Sequence, residues 1–278
     1  MAIPIQSQVY NPVSGVFGTG QVQFFSASGA WAVPAGIGKV RVRVWGGGGG
    51  CSSTSNNFGG GGGGGFAIKA IYDLSGVTSI AVTVGAGGTY ASFATQQTAG
   101  TSSFGSYCSA TGGQFASLSS TYNANLGGTG VGGDINNTGG WTGGFTTTAN
   151  TGGGGGSASI FGNGGSLGNA VSTSATTTHT GGAGAAPYSY TSINGNSGFL
   201  GIGGQLAGTY SPAVSPTSGL NNQFSIDYLG TGGSGSGSMS GNNGGGGGSN
   251  GGNGGWPGGG SGNSTVGGGG SGLVIVEW

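Results

Sequence analysis

The chain has 278 residues, of which 78 are glycine and only eight are charged, four basic and four acidic, so its formal net charge is zero. An average protein contains about 7% glycine and about 25% charged residues. The composition excludes a helical protein, because each interior glycine costs a helix about 1 kcal/mol relative to alanine. It also excludes a nucleic-acid partner, which requires clustered Lys and Arg. Membrane insertion is excluded because no apolar run approaches about 18 residues.

Strand patterns lie near the beginning of the chain and at its end. The clearest is 39–45, where Val40, Val42 and Val44 alternate with charged residues and so fall on one face, with Trp45 on the other. Similar patterns predict further strands at 21–24, 30–33, 66–72, 80–84 and 273–278. We expect the first and last strands to pair into one small β-sandwich or sheet, and we favour the sandwich.

This arrangement predicts a mainly β and irregular fold with essentially no α-helix, in three parts. Residues 1–20, with Pro4 and Pro12, form an extended arm, and they show neither the basic nor the long apolar region of a secretory signal. Residues 21–84 and 272–278 form the sandwich base. Residues 85–271 form a glycine-rich insertion between its strands.

The charges follow the same division. Six of the eight lie in or beside the predicted strands, and only Asp134 and Asp227 lie in the glycine-rich insertion. An ion pair between Arg43 and Glu277 would help to set the strand register, for about 0.2 to 1 kcal/mol. The alternative, which we favour at this stage, is a solvated strand face.

The glycine runs have two interpretations. A flexible linker is one. The other is a bundle of polyglycine-II-type helices, which have three residues per turn and direct their N–H and C=O groups outward to neighbouring helices. Asn250, Asn253 and Trp256 are spaced by three residues, which suits such a helix. We favour the ordered bundle, because strands close the insertion at both ends and the chain lacks the charge that keeps disordered chains soluble.

Segments rich in Ser, Thr, Asn and aromatic residues separate the glycine runs, and we interpret them as loops that join successive helices. Rigid aromatic side chains among small polar ones are typical of recognition surfaces. The alternative role for these rings is to cover the bundle. The candidate receptor-binding residues are Tyr90, Phe93, Phe115, Tyr122, Tyr188, Tyr190, Tyr210 and Trp256.

Catalytic chemistry has no support in the sequence. The single histidine, His179, has no carboxylate near it in sequence and is interpreted as a loop residue. No nucleophile-elbow pattern occurs, and the glycine runs lack the Lys-Ser/Thr pair of a phosphate loop. The two cysteines, Cys51 and Cys108, form either one disulfide or two buried thiols, and the sequence leaves both open. No cluster of metal ligands is present, so we expect no metal, no cofactor and no enzyme.

Several blocks together carry a resemblance. Val44-Trp45 runs into five glycines, and similarly patterned blocks occur in order at 25–36, 39–50, 62–67, 82–88, 100–113 and 272–278. In this the chain resembles the glycine-rich domain of tailed-phage tail-fibre and tail-tip proteins. The resemblance implies a β-structured base, stacked polyglycine-type helices and variable loops that contact the host. The long shaft or anchoring region of a full tail fibre is missing, and no receptor-contact residue of an adhesin aligns with these loops.

The sequence therefore predicts a non-enzymatic, adhesin-like virion tail protein that binds a host cell-surface protein or glycan, as a homo-oligomer or with other tail proteins. The alternative is an extracellular filament or sheath subunit, joined by strand exchange of the arm. Ice binding is a third hypothesis, but the Thr residues at 146–148 and 176–178 cluster instead of forming a regular array. The predicted location is the virion tail or the cell exterior.

Overall fold

The computed structural model describes most of the glycine runs and the strands around them. The described residues are 20–54, 57–89, 91–92, 98–114, 126–142, 153–166, 226, 229–230, 244, 246–247, 252–262 and 267–278. Within them the fold is mainly β and contains no α-helix, as the sequence predicts. Accordingly, no helix in this part of the chain is long and apolar enough to cross a membrane.

Thirteen strands are present among the described residues. In chain order they are β1 (Val22–Phe25), β2 (Gly29–Ala32), β3 (Val40–Trp45), β4 (Ser52–Thr54), β5 (Asn57–Gly59), β6 (Phe66–Ile71), β7 (Ser79–Thr83), β8 (Ala91–Ser92), β9 (Ser102–Phe104), β10 (Cys108–Ala110), β11 (Gly130–Val131), β12 (Ile135–Asn137) and β13 (Leu273–Glu277).

Two five-stranded sheets form a β-sandwich. The first has the order β1-β13-β3-β6-β12 and the second the order β11-β10-β9-β7-β2. All their strand pairs are antiparallel, whereas the small third sheet, β5-β4-β8, pairs β4 with β8 in parallel. Strands from both ends of the chain thus form one unit, with β13 between β1 and β3.

The alternation of β3 sorts its side chains between two apolar cores. Val40, Val42 and Val44 lie between the two sheets, in contact with a cluster that includes Trp31 and Phe104. On the opposite face of the first sheet a second core contains Trp45, Phe66, Leu273, Ile275 and Ala158, with Ile160, Ile226 and Leu229 packed against it. The inner strands β3 and β13 of the first sheet are therefore buried on both faces.

Burial of this second face makes the solvated-face interpretation wrong for Arg43. Its side chain is 2% exposed, and its Nε donates to Glu277 Oε1 at 2.7 Å, while Arg41 Nε donates to Glu277 Oε2 at 3.1 Å. Glu277 is itself 3% exposed. The ion pair is present because chain from the glycine-rich region covers this face, and a charge removed from water needs a partner.

The glycine runs pack into a second body, the glycine lattice, which adjoins one end of the sandwich. Its described segments are 46–50, 60–65, 85–88, 99–100, 111–114, 126–129, 138–142, 153–158, 163–165, 246–247, 252–262 and 267–272. Segment 60–65 shows its arrangement. The N–H groups of residues 61 to 65 donate to three neighbouring segments, and the carbonyls of the same residues accept from three others. The acceptor segments are 111–114, 138–142 and 252–262, and the donor segments are 46–50, 126–129 and 153–158.

The hydrogen bonds of this segment repeat every three residues. Gly61 and Gly64 donate to Ser261 and Gly258, which belong to one neighbouring segment. Residues 62 and 65 likewise donate to 114 and 111 of another. Three residues per turn is the repeat of the polyproline-II conformation. The hydrogen bonds show this repeat, and the helix type itself stays a prediction.

Close approach of the backbones explains why the lattice is made of glycine. A Cβ atom on Gly63 would lie closer than 3.0 Å to the backbone of Gly156, and one on Gly48 would meet Gly259 in the same way. Only a residue without a side chain fits between segments at this spacing.

Sandwich and lattice interleave along the chain. Strands β9 to β12 come from within 85–271, the stretch predicted as the glycine-rich insertion. Conversely, 46–50 and 60–65 belong to the lattice although the predicted base includes them. The two bodies are therefore built by a chain that passes between them repeatedly.

The buried ion pairs give a first prediction. Replacing Glu277 by Gln leaves Arg43 buried without its carboxylate, and we expect a loss of about 3 to 5 kcal/mol in the free energy of unfolding. Urea unfolding followed by tryptophan fluorescence measures this. The control is Asp73→Asn, which removes an exposed carboxylate bonded to Ser75 and should leave the unfolding midpoint unchanged. Equal midpoints for the two variants would contradict the role of Glu277.

The lattice gives a second prediction. Gly63→Ala forces a methyl group against the backbone of Gly156, and we expect a loss of about 3 kcal/mol, the upper end of the overpacking range. The matched control is Gly38→Ala, whose Cβ meets nothing within 4 Å and whose stability should change by less than about 0.5 kcal/mol. Thermal unfolding of both variants measures the difference, and a stable Gly63→Ala protein would argue against close packing of the backbones.

Candidate functional site

The connections of the sandwich differ at its two ends. At one end they are short: 33–39, 72–78, 105–107 and 132–134. We call these residues, together with Gln21 and Trp278, the end face. At the other end the chain enters the lattice and returns to the sandwich through 46–65, 84–101, 111–129 and 138–272. The connection from β1 to β2, 26–28, also lies at this end and is short. The long connections of the molecule therefore point away from the end face.

The lattice is layered along this direction. Next to the strands, one chain of N–H···O=C bonds runs from Gly46 to Gly65 to Thr111 to Thr129. The same four segments form a second chain of such bonds three residues further from the strands, from Gly49 to Gly62 to Gln114 to Leu126. Three residues of extended chain span at most about 11 Å, which sets the upper limit for the distance between such layers. We call the second layer, and the described residues beyond it, the outer end.

Described residues that flank four of the candidate residues, at positions 90, 93, 115 and 122, lie at this outer end. Gln114 and Leu126, which flank 115–125, belong to the second layer, and Leu126 is 56% exposed. Strand β8 follows position 90 and pairs with β4. Because β4 comes after Gly49 of the second layer, this pair lies at the outer end. Seven of the candidate residues themselves lie outside the described residues: Tyr90, Phe93, Phe115, Tyr122, Tyr188, Tyr190 and Tyr210.

Trp256, the eighth candidate, lies elsewhere. Its side chain is 42% exposed, in a turn closed by the bond from Gly259 N to Gly255 O. Gly258, two residues later, accepts from Gly64 and donates to Ser271. Both partners lie just before a strand of the sandwich, β6 and β13 respectively. Trp256 is therefore on the side of the lattice near the sandwich, and the structure does not bring it to the outer end.

Both cysteines are buried thiols that form no disulfide, which is the second of the two alternatives left by the sequence. The Cys51 thiol donates to the Gly267 carbonyl at 3.0 Å within the lattice. Cys108 lies in the core between the two sheets, where burial raises the pKa of its thiol from 9.0 to about 11. Neither thiol has the exposure of a reactive cysteine, and the pKa of Cys108 is raised where that of a reactive thiol is lowered.

Charge is confined to the sandwich within the described residues. The charged side chains there are Lys39, Arg41, Arg43, Lys69, Asp73, Asp134 and Glu277, all in its strands and end-face loops. The described residues of the lattice carry no charged side chain, and in the part of the chain that the structure describes no group of His, Cys, Asp and Glu is suited to hold a metal ion. What the outer end offers chemically is apolar contact and neutral hydrogen bonding.

Sequence reasoning missed Leu126 as a candidate. The sequence feature that could have identified it is an isolated large apolar residue directly before the two glycines at 127–128, at the start of a lattice segment. The sequence analysis also missed Tyr72, because the pattern included it in the predicted strand 66–72. In the structure β6 ends at Ile71, and Tyr72 is 76% exposed at the end face.

Comparison with known families gives one result. A family model described as a glycine-rich domain matches residues 25–278, nearly the whole chain. The curated proteins give no match.

The raised pKa of Cys108 gives a third prediction. Because the thiol ionises at a higher pH in the folded than in the unfolded chain, its contribution to stability is complete below pH 9 and is lost as the pH rises to about 11. At about 1.36 kcal/mol per pKa unit, the loss is about 3 kcal/mol. Urea unfolding between pH 8 and pH 11 measures it. In Cys108→Ala the free energy of unfolding should fall less steeply with pH, because this thiol is absent. The same pH dependence in both proteins would contradict the raised pKa of Cys108.

Proposed function

This chain belongs to the glycine-rich domain family, and we propose that it is a non-enzymatic, adhesin-like protein of a virion tail, which binds a host cell-surface protein or glycan. The observation that carries this proposal is the one-sided topology. The long connections leave the sandwich through the glycine lattice on the side away from the end face. Binding residues commonly lie on loops that a rigid scaffold positions.

We infer that the lattice segments are polyglycine-II-type helices and that they act as this scaffold. The three-residue repeat and the six neighbouring segments around 60–65 support the inference. A segment bonded on all sides has little freedom to move. Loops mounted on it lose less conformational entropy on binding than loops on a flexible support.

The chemistry of the loops supports recognition of an uncharged surface. In the sequence, 51–59, 89–98, 115–125 and 143–152 contain aromatic, Ser, Thr, Asn and Gln residues and no charged ones. Aromatic side chains give large contact areas at low entropy cost, and small polar ones adapt their hydrogen bonds. A charged ligand would lose its hydration here without gaining an opposite charge.

The end face suits attachment. Both Gln21 and Trp278 lie there, and they exchange two backbone hydrogen bonds of 3.0 Å. A tail protein or further copies of this chain, bound at this face, would leave the outer end free for the host. This arrangement agrees with a location at the tip of a tail or on another extracellular filament.

A filament or sheath subunit is a second candidate, favoured by the edge strands. β1 and β2 are the last strands of the two sheets on the same side of the sandwich. The sequence of β1, Val-Gln-Phe-Phe, has none of the charges or prolines that usually protect an edge. Arm residues of another copy would pair with such a strand. Electron microscopy of the pure protein distinguishes the two, since filaments support this candidate and isolated particles exclude it.

Cell binding gives a fourth prediction. Labelled protein should bind cells of at least one strain in a panel of bacteria. Replacing Tyr90, Phe93, Phe115 and Tyr122 together by alanine should weaken binding at least tenfold, because loss of one dominant contact costs about 2 kcal/mol or more. Flow cytometry over a range of protein concentrations measures the affinity.

The control for this experiment is Tyr72→Ala, which removes an aromatic ring of comparable size that is 76% exposed at the end face. It should leave cell binding unchanged. An equal loss in both variants would place recognition elsewhere, and binding to none of the strains would argue against an adhesin.

A further inference from the structure

A groove crosses the end face between two loops that connect the sheets. It has a volume of about 510 Å³ and lies between 33–38 and 74–78. Its walls include the apolar side chains of Val33, Pro34, Ile37, Leu74 and Val77. Three of these, Val33, Ile37 and Val77, are only partly buried against the core between the sheets, so apolar surface remains open in the groove.

The groove is preformed by backbone hydrogen bonds. Val33 N donates to Thr78 O at 2.9 Å and ties the two loops together. Each loop is also closed by its own turn, from Ile37 N to Pro34 O at 3.1 Å and from Val77 N to Leu74 O at 3.0 Å. A ligand therefore meets walls that are already held in place.

The first residues of the chain reach the molecule at this same end. The two hydrogen bonds between Gln21 and Trp278 fix the start of β1 at the end face. The preceding residue, Gly20, is buried with φ at 81°, a left-handed conformation that bends the chain away from the strand direction. Gly20 therefore lies at the end face, where the chain leaves the axis of β1.

Their composition suits the groove. Residues 1–19 contain no charged side chain, and they carry the apolar pairs Ile3 with Ile5 and Val16 with Phe17. Pro4 and Pro12 favour extended backbone at and before them, the form in which peptides enter apolar grooves. The span from β1 to β6 is three strand spacings, about 14 Å, whereas 19 extended residues reach about 60 Å.

We propose that residues 1–19 seat in this groove of their own chain, with apolar side chains against Val33, Ile37 and Val77. A short tether raises the local concentration of the segment to about the millimolar range, so the segment of the same chain outcompetes that of a second copy at micromolar protein. A segment bound in this way is not available for strand exchange with another copy. The proposal concerns the end face alone and stands independently of receptor binding.

Site-specific photo-cross-linking of the full chain tests the proposal. Ser75, an exposed residue of the groove wall, is replaced by p-benzoylphenylalanine, and the protein is irradiated at low micromolar concentration. We expect cross-links within one chain to residues 1–19, identified by mass spectrometry of proteolytic peptides. The same probe at Ala81, exposed on β7, should give none to this segment.

Two glycines make a matched pair of blocking variants, because added Cβ atoms at Gly38 and Gly29 both meet nothing within 4 Å. Gly38→Trp places a bulky side chain in the groove and should reduce the yield of the cross-link at least tenfold. Gly29→Trp, on β2 outside the groove, should leave the yield unchanged. Cross-links between two chains, no cross-link to 1–19, or a yield unaffected by Gly38→Trp would each overturn the proposal, with melting temperatures confirming that the variants are folded.

Discussion

The structure depends on one constraint: a buried backbone N–H or C=O needs a hydrogen-bond partner. A chain with 78 glycines among 278 residues has few side chains to bury, so its backbone must supply most contacts. The lattice meets the constraint by surrounding 60–65 with six other segments, three accepting and three donating. Absence of a Cβ at Gly63 and its neighbours is what allows the segments to come close enough. Glycine, which elsewhere loosens a chain, here permits the packing that orders it.

Sandwich and lattice also depend on each other. Residues 267–272 cross the lattice, where Gly269 and Gly270 bond to neighbouring glycine segments, and continue directly into β13, between β1 and β3 of the first sheet. Trp45 Nε1 donates to Ala158 O at 3.1 Å, which fixes the second core to a lattice segment. The buried carboxylate of Glu277 then forms ion pairs with both Arg41 and Arg43 on the same face. The position of β13 is therefore set by backbone bonds, apolar packing and charge together.

The sequence predicts those parts of the fold that have a local period. The valines of β3 and the apolar run of β13 alternate clearly enough to predict both strands and their faces. Strands β9 to β12 have only two or three residues each, mostly Ser, Gly, Asn and Ala, and show no period to detect. Burial of Arg43 could not be read from β3 alone, because the cover comes from Ala158 and its neighbours, more than a hundred residues further along the chain.

The candidate site shows the same limit. Spacing by three put Asn253 and Trp256 on one edge of a helix, and Asn253 Oδ1 does accept from Gly268 N at 2.8 Å in the lattice. Trp256, however, lies in a turn beside the sandwich. A three-residue period predicts neighbours along one segment, but it does not say where the segment ends or at which end of the molecule a side chain emerges. That information comes from which segments are neighbours and in which direction each runs, and this is a long-range property: 252–262 runs antiparallel to 60–65, whereas 153–158 runs parallel to it.

A lattice bonded in this way separates the requirements of stability from those of recognition. The inner layer, from Gly46 to Thr129, and the next one, from Gly49 to Leu126, fix where each outer connection starts and ends. Chain added between two such fixed points adds little closure entropy, since doubling a loop costs only about 0.6 kcal/mol. Because the described lattice contains no charged side chain, a change of charge in the outer connections also leaves the buried Arg–Glu pairs undisturbed. The outer connections are thus free to change in length and chemistry while the glycines beneath them are not.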